Sequence, residues 1–586
     1  MNQTTAPVYT LKGECQDCYK CLRVCAVQAI RVLDGRADIV PSRCLSCGRC
    51  VSACPSHAKR VRNDVGRVRN LLGAGPPVVV SLAPSWRGAL GLNRPRVIAG
   101  LKALGFTEVS ETALGAEEVS IRTAAFLNQS PPGLYISSAC PVIVDYIRLY
   151  KPEFTKNITP FASPALTHAR LLKKHYGPDT RVVFIGPCIA KKNEADRHPE
   201  LLDAALTFEG LKNWMREDFV DTDNLIVDEE ASFGPERAHE GVLYPLDGGM
   251  SETIRRSGLK DEIQLMSISS LDLFAKALKG LDPSGIVRPI FVEALACVGG
   301  CLSGPCISSA RSNFLMMSDL LRHVPVRNHI PLVPRVLVDV DYQPENLNAP
   351  GHTLEEIREA LNRIGKFTAE DEMNCSGCGY QSCQDLARAL LDGDAEPSMC
   401  VSYMRRLATR KAAAMVKAMP SAMVMVDKDL NILEVNEAFI RMFTGGGQSE
   451  YLGQPELLAG TPVEDWVDFS RLMKRVLKTG QDIHKEHFLY KKRLYDIHIF
   501  SVEQSEIIGA IVTDVTISQA GREKMAQKAR EVIRKNISTV QEIACLLGEH
   551  MVETEVILSA IAADYDEDEA DETEEPSEEE SILGGC

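Results

Sequence analysis

The chain has 586 residues, a net charge of −15 and an ordinary 45% apolar composition. It is too long for one core, and at roughly 150 residues per domain it should hold about four domains. No stretch approaches about 20 uninterrupted apolar residues, so no membrane span is expected. The opening MNQTTAPVYT has no basic region before an apolar one, so no secretory signal is read and a cytoplasmic location is expected. Residues 564–580 hold twelve acidic side chains and no basic ones, so most of the negative charge belongs to a tail. Clustered Lys and Arg are lacking, which argues against a nucleic-acid partner. The 19 cysteines fall mostly in tight groups. Without an export signal, that pattern reads as metal binding rather than disulfides.

The first group spans residues 1–62. Cys15, Cys18, Cys21 and Cys25 form C-x2-C-x2-C-x3-C, and Cys44, Cys47, Cys50 and Cys54 repeat it before Pro55. This is the spacing of a two-cluster ferredoxin, in which the fourth cysteine of each run crosses to the other cluster. Cys15, Cys18, Cys21 and Cys54 are expected to hold one [4Fe–4S] cluster, and Cys44, Cys47, Cys50 and Cys25 the other. Thiolates suit iron as soft ligands; zinc is the alternative. Two clusters in so small a domain transfer electrons, so a source or sink should lie further along.

From residue 76 the pattern turns α/β. The runs VVVSLAP (78–84), GLYISSAC (133–140), RVVFIGPC (181–188) and RPIFVEALAC (288–297) read as buried parallel strands separated by helical stretches. Ligands gather beyond the carboxyl ends of such strands. Three of the runs deliver a cysteine there, Cys140, Cys188 and Cys297, and Cys301 follows in CVGGC. The pattern suggests a metal site; four unrelated buried thiols are the alternative.

SSACP, GPCIAKKNEAD and FVEALACVGGCLSG resemble the three signature motifs of the H-cluster domain of iron-only ([FeFe]) hydrogenases. The resemblance covers roughly residues 76–365 and implies a two-lobed α/β domain. It further implies that Cys140, Cys188, Cys297 and Cys301 bind a [4Fe–4S] cubane. Cys301 would bridge to a diiron unit carrying CO, cyanide and a dithiolate. Lys191 would donate to a cyanide, with Glu194 holding it; a solvated helix position is the alternative. Pro84 and Ser85, in LAPSW, would floor the diiron pocket.

Several positions depart from the family's catalytic pattern. Where catalytic members place a proton-carrying cysteine before the first cluster ligand, this chain has Ala139, which cannot titrate. A general acid needs a protonable group within about 3 Å of its acceptor. The relay carboxylates expected on the preceding helix fall on Thr123 and Phe126, with Arg122 nearby. Gly186 and Leu295 replace methionines that pack on the diiron unit, and Cys306 is an extra thiol. The pattern is similar to the sensory branch of the family. The competing reading is a working hydrogenase with an unorthodox relay through Cys306 or water.

Cys375, Cys378, Cys383 and Cys400, spaced C-x2-C-x4-C-x16-C within residues 366–402, resemble a small attached [4Fe–4S] module, with zinc as runner-up. Residues 405–420 read as a helical connector. Residues 415–516 resemble a PAS domain: strands at Met423–Val426 and Ile432–Val435 flank a turn, and Asn436 opens a helix. His484, His487 and His498 are either haem ligands or surface strand histidines, and no PAS ligand is assigned. In residues 519–562, Ile533, Ile537, Val540, Ala544, Leu547 and Met551 alternate spacings of four and three. This is a dimerisation seam, or else a helix packed on the PAS sheet. The acidic stretch 563–586 is expected to be disordered.

The fold class is therefore multidomain α/β and α+β. It comprises a ferredoxin-like domain, an H-cluster domain, a cluster module, a PAS domain, a helix and a tail. The expected function is hydrogen sensing in an anaerobe, with H2 as ligand or substrate, a redox partner protein and a signalling partner. The alternative is a subunit of a multi-protein hydrogenase. A third possibility is a scaffold holding only cubanes.

Overall fold

A computed structural model describes residues 6–307, 311–325, 333–345, 347, 351–444, 451, 453–491, 493–516 and 528–540. The chain divides into two compact units, Met1–Pro397 and Ser398–Cys586. Among the described residues no helix is long and apolar enough to cross a membrane.

The first unit opens with two antiparallel strand pairs, Val8–Thr10 with Lys59–Val61 and Ile30–Leu33 with Arg36–Ile39. Two short helices, Lys20–Arg23 and Arg49–Ala53, follow the cysteine loops. The duplication read from the cysteines recurs in the backbone. Asp17 and Tyr19 in one repeat, and Ser46 and Gly48 in the other, all have positive φ. So do Gln28 and His57, each three residues beyond its run's last cysteine. Left-handed residues bend the chain sharply, so each loop turns back on itself as a cysteine wrap requires. The repeats differ at one telling place. A Cβ on Gly48 would lie 2.6 Å from Pro305 and 2.7 Å from Ile189, so the second loop packs too closely on the next domain for any side chain.

The α/β region forms two parallel sheets. One has four strands in the order Glu108–Glu111, Val78–Leu82, Arg181–Gly186, Ala204–Thr207. The other has three, in the order Gln264–Ser269, Pro289–Leu295, Gly133–Ile136. The four runs expected as strands thus split two and two between the lobes. Every residue of Val78–Leu82 is buried, as suits a central strand covered on both faces. The helices Ala113–Leu127 and Pro164–Tyr176 pack together where Gly115 meets the backbone of Pro164 and His168.

The helix Leu354–Arg363, capped reciprocally by Thr353 and Glu356, packs against Cys383–Leu391. The latter carries its own capping box from Ser382 and Asp385. Both helices stand on the ferredoxin-like side of the unit: Val32 donates its N–H to the Asp394 carbonyl (2.7 Å), and Gly379 abuts Leu22.

In the second unit, the helix Val401–Ala418 precedes a five-stranded antiparallel sheet. Its order is Ile432–Val435, Ala422–Asp427, Ile507–Asp514, Arg493–Glu503, Ile483–Tyr490. Asn436 caps the helix Glu437–Phe443 by accepting from Phe439 N–H (2.9 Å). Val424, Phe439, Met473, Ile497 and Ala510 share the core between sheet and helices. Residues 528–540 are helical, and Thr539 reaches Met415 Sδ (3.4 Å). The rest of the seam expected over 519–562, and the tail 563–586, lie outside the described residues.

Candidate metal centre between the two sheets

Cys140, Cys188, Cys297 and Cys301 all line one cavity of about 120 Å³. Each is delivered by a strand end. Cys140 caps the helix Pro141–Tyr150 after the strand Gly133–Ile136. Cys188 falls between the strand Arg181–Gly186 and the helix Ala190–Arg197. Cys297 follows Pro289–Leu295, and the chain turns back through Gly299 and Gly300 to place Cys301. A Cβ on Gly300 would sit 2.2 Å from the Pro245 carbonyl, which also accepts Cys301 N–H (2.7 Å). That turn therefore requires glycine.

The site is largely apolar and presents four thiols, donors that suit soft metals. Burial raises all four thiols. Cys188 is held up at about 11, with Cys140 adding to the effect and Lys191 opposing it. Among the described residues, no three His, Cys, Asp or Glu side chains close on a point as a single ion would need. The thiols instead surround a volume, with Pro84, Ser85, Phe184, Tyr244, Met250, Glu293 and Leu295 completing the walls. Ser85 Oγ is buried without a hydrogen-bond partner among the described residues. A polar atom orphaned in an apolar cavity fits a bound group that carries acceptors. Lys191 lines the same cavity and is fixed on both sides: its Nζ donates to Glu194 Oε2 (2.6 Å) and Ser163 Oγ (2.9 Å). The four thiols fit an iron–sulfur cluster, and the polar groups fit acceptors on whatever it carries.

Ala139 also lines the cavity. At Gly186 a Cβ would meet the Phe184 ring at 2.5 Å, and that ring, with Leu295, is part of the wall. Thr123, Phe126 and Arg122, expected at the relay positions, each have partners within the protein. Thr123 bonds back to the Val119 carbonyl (2.7 Å), Phe126 stacks edge-on against Tyr135 and Phe161, and Arg122 pairs with Asp339 (2.9 Å). Cys306 is buried outside the cavity lining, its thiol pushed up to about 12 by burial.

The ferredoxin-like cysteines form two adjacent groups. Cys50 feels Cys47, Cys44 and Cys25 and, more weakly, Cys21 of the other group, while Cys21 feels Cys15 and Cys18. Ser46 and Cys47 also line the large cavity, and Cys47 lies within electrostatic reach of Cys297. Arg49, whose Nη1 donates to both carboxylate oxygens of Asp272 at 2.8 Å, feels both Cys47 and Cys297. This approach was not read from the sequence. The one available signal was glycine at position 48 where the first repeat has Tyr19. Glu293 was missed too, although a lone acid in a buried apolar strand was visible. It accepts from the N–H groups of Met250 (3.1 Å) and Ser251 (2.8 Å).

Cys378 and Cys383 are buried and Cys375 is exposed, all in the first unit. Cys400, buried, caps the first helix of the second unit. His484 and His498 face each other across strands with rings 5.9 Å apart, His484 exposed and His498 half-buried; His487 is exposed.

Comparison with known families gives four matches. Residues 76–305 match the iron only hydrogenase large subunit, C-terminal domain. Residues 14–58 match the 4Fe-4S dicluster domain, 371–402 an Fe-S cluster family and 410–512 the PAS fold. Iron hydrogenase 1 of Clostridium pasteurianum is 25% identical over 45% of this chain and 63% of its own length. The NADP-reducing hydrogenase subunit HndD of Solidesulfovibrio fructosivorans is 23% identical over 50% of this chain and 63% of its own. The chain thus spans less than two thirds of these relatives. Among solved structures, a variant of [FeFe]-hydrogenase HydA1 from Chlamydomonas reinhardtii aligns with all of its length and 49% of this chain, at 19% identity and TM-score 0.38. The PAS domain of histidine kinase ThkA aligns over 98% of its length and 16% of this chain, at 17% identity and TM-score 0.14.

Proposed function

Because residues 76–305 match the iron only hydrogenase large subunit, C-terminal domain, we propose that this protein senses hydrogen at the four-cysteine cavity and turns it over slowly. In this reading Cys140, Cys188, Cys297 and Cys301 would hold the cubane, with Cys301 also serving the diiron unit. When bound, that unit supplies hydrogen binding and heterolytic chemistry. Lys191 and Ser85 anchor its polar ligands by hydrogen bonds, and Lys191 keeps its orientation through Glu194 and Ser163. Cys47 carries the nearer ferredoxin cluster against the cavity wall, which gives electrons a short exit. Cys375, Cys378 and Cys383 contribute to a further cluster, and the PAS region passes the redox state to a partner in the cytoplasm.

The observation that carries the low-turnover reading is Ala139 in the cavity wall. Its methyl group occupies the place where a proton carrier would stand, and Thr123 and Phe126 offer no carboxylate behind it. A positioned general acid contributes on the order of 10²–10⁴ in rate. The test is to load the purified chain with synthetic diiron cofactor, verify CO and CN infrared bands, and compare hydrogen evolution before and after Ala139→Cys. A slow parent and a rise of roughly 10²-fold or more support the sensor. A fast parent that Ala139→Cys leaves unchanged sinks it.

A second reading is a catalytic or electron-transfer subunit of a multi-protein hydrogenase. It is favoured by the likeness to an NADP-reducing hydrogenase subunit. Glu293, a protonable group in the same cavity wall, also favours it. Rapid hydrogen turnover abolished by Glu293→Gln would select this reading.

A further inference from the structure

A second cavity, of about 30 Å³, lies against the first, and Pro84 lines both. Its apolar side is formed by Trp86 and Phe233, packed edge to face at 5.7 Å. Its polar side is strongly basic: Arg87, Arg94, Arg237 and His323 all contribute. Arg87 is half-buried with its guanidinium 4.8 Å from the Trp86 ring centre, and Arg94 Nε donates to the Ala231 carbonyl (2.8 Å). Among the described residues none of the three arginines makes an ion pair, and Arg87 and Arg237 donate no hydrogen bond.

The negative charge facing them is small. Among the described residues Glu111 is the only carboxylate in the lining, and one of its oxygens already accepts Ala238 N–H (3.0 Å). Asp319 also acts on Arg87, but it sits 3.5 Å from His323 and 3.7 Å from Arg311. A half-buried guanidinium such as Arg87 or Arg94, sharing one carboxylate with its neighbours, is incompletely compensated, and an anion that also reaches the exposed Arg237 relieves that cost. The guanidinium fork matches carboxylate and phosphate oxygens, giving geometry as well as charge. The volume exceeds the roughly 10–15 Å³ that one water needs, so a few small polar atoms fit.

We propose that this cavity is a binding site for a small oxyanion, of the carboxylate or inorganic phosphate type. Arg87, Arg94 and Arg237 supply the donors, and Glu111 limits the affinity by repulsion. The occupant would touch Pro84, and hence the wall of the four-cysteine cavity. The site itself does not depend on what that cavity holds.

The experiment is calorimetric titration of the full chain with sodium phosphate and, separately, sodium formate, at ionic strength held constant with sodium chloride. Saturable binding of at least one anion is expected; phosphate alone marks a tetrahedral site and formate alone a planar one. Arg237→Gln, at an exposed position, should weaken binding roughly tenfold or more, the scale of one charge-assisted hydrogen bond. Glu111→Gln keeps an acceptor for Ala238 N–H and should tighten binding. Opposite signs for these two variants distinguish the site from general surface attraction. Failure of both anions to saturate overturns the proposal. So does parent-like binding in Arg237→Gln, whether or not Glu111→Gln folds.

Discussion

Arg43 and Asp394, 351 positions apart in the chain, meet with Nη2 2.6 Å from Oδ2, and both side chains are largely withdrawn from water. The pair ties the segment around Cys375, Cys378 and Cys383 to the ferredoxin-like domain. Arg23 donating to the Gly377 carbonyl (3.3 Å) and the Asp34 N–H donating to Glu396 reinforce it. Asp394→Ala should therefore loosen this segment without touching a cysteine. A hydrogen bond between charged groups contributes about 1.5–3 kcal/mol. Hydrogen exchange of residues 375–391 should speed up correspondingly, while amides of the sheet containing Val78–Leu82 stay protected. Uniform exchange in both regions would contradict a local tie.

Lys191 and Glu194 form a nearly buried pair at 2.6 Å, one helical turn apart. Removing one partner leaves the other charge stranded, which costs about 3–5 kcal/mol, whereas removing both is far milder. Lys191→Met should lower the denaturation midpoint of the metal-free protein sharply. Adding Glu194→Leu should recover most of the loss. If the two losses simply add, the pair carries no coupling and Lys191 is held by Ser163 alone.

The cysteine spacings and the four apolar runs made the elements of the metal centre legible, because each needs only local pattern. What the sequence concealed is how distant parts approach. Cys47 was readable as a ferredoxin ligand, but its place in the wall of the four-cysteine cavity depends on the Gly48 contact with Pro305 and Ile189. Arg87, Arg94 and Arg237 are separated by up to 150 positions and follow no motif, so only the fold brings them together. The Phe184 ring lies against Gly186 and forms part of the cavity wall, a packing detail that the motif alone does not carry. Periodicity indicates which face of a strand is buried, and not which of two adjacent side chains fills a shared volume.

Cys306 stands near the centre without belonging to it. Its thiol is 2% exposed, and Glu209 and Cys188 join burial in holding it protonated, with Lys192 opposing. Cys306→Ala should leave the iron content of the reconstituted protein unchanged and cost about 1 kcal/mol of packing. Cys188→Ala, by contrast, should remove a cluster's share of iron and its absorbance. Equal iron loss in both variants would make Cys306 a ligand.

His168 is fully buried between two hydroxyls, with Nδ1 2.8 Å from Ser81 Oγ and Nε2 3.0 Å from Ser110 Oγ. Ser81 also bonds Thr112 Oγ1 (2.8 Å), which lines the four-cysteine cavity. Burial, with Arg335 adding to it, pushes the imidazole down to about 3. In the unfolded chain a histidine takes up its proton near pH 6.5. Between those two values the unfolded state therefore binds one more proton than the folded state, and acid favours unfolding. The contribution is intact above pH 6.5 and is lost as pH falls toward 3, with a slope approaching 1.4 kcal/mol per pH unit. Urea denaturation of the metal-free chain should show that slope below pH 6.5. His168→Asn keeps a donor and an acceptor but cannot titrate. It should be less stable at neutral pH and flatter in acid by about one proton. Parallel pH profiles for the two proteins would mean that His168 protonates within the folded core, and that the Ser81–His168–Ser110 chain opens to water before the sheet does.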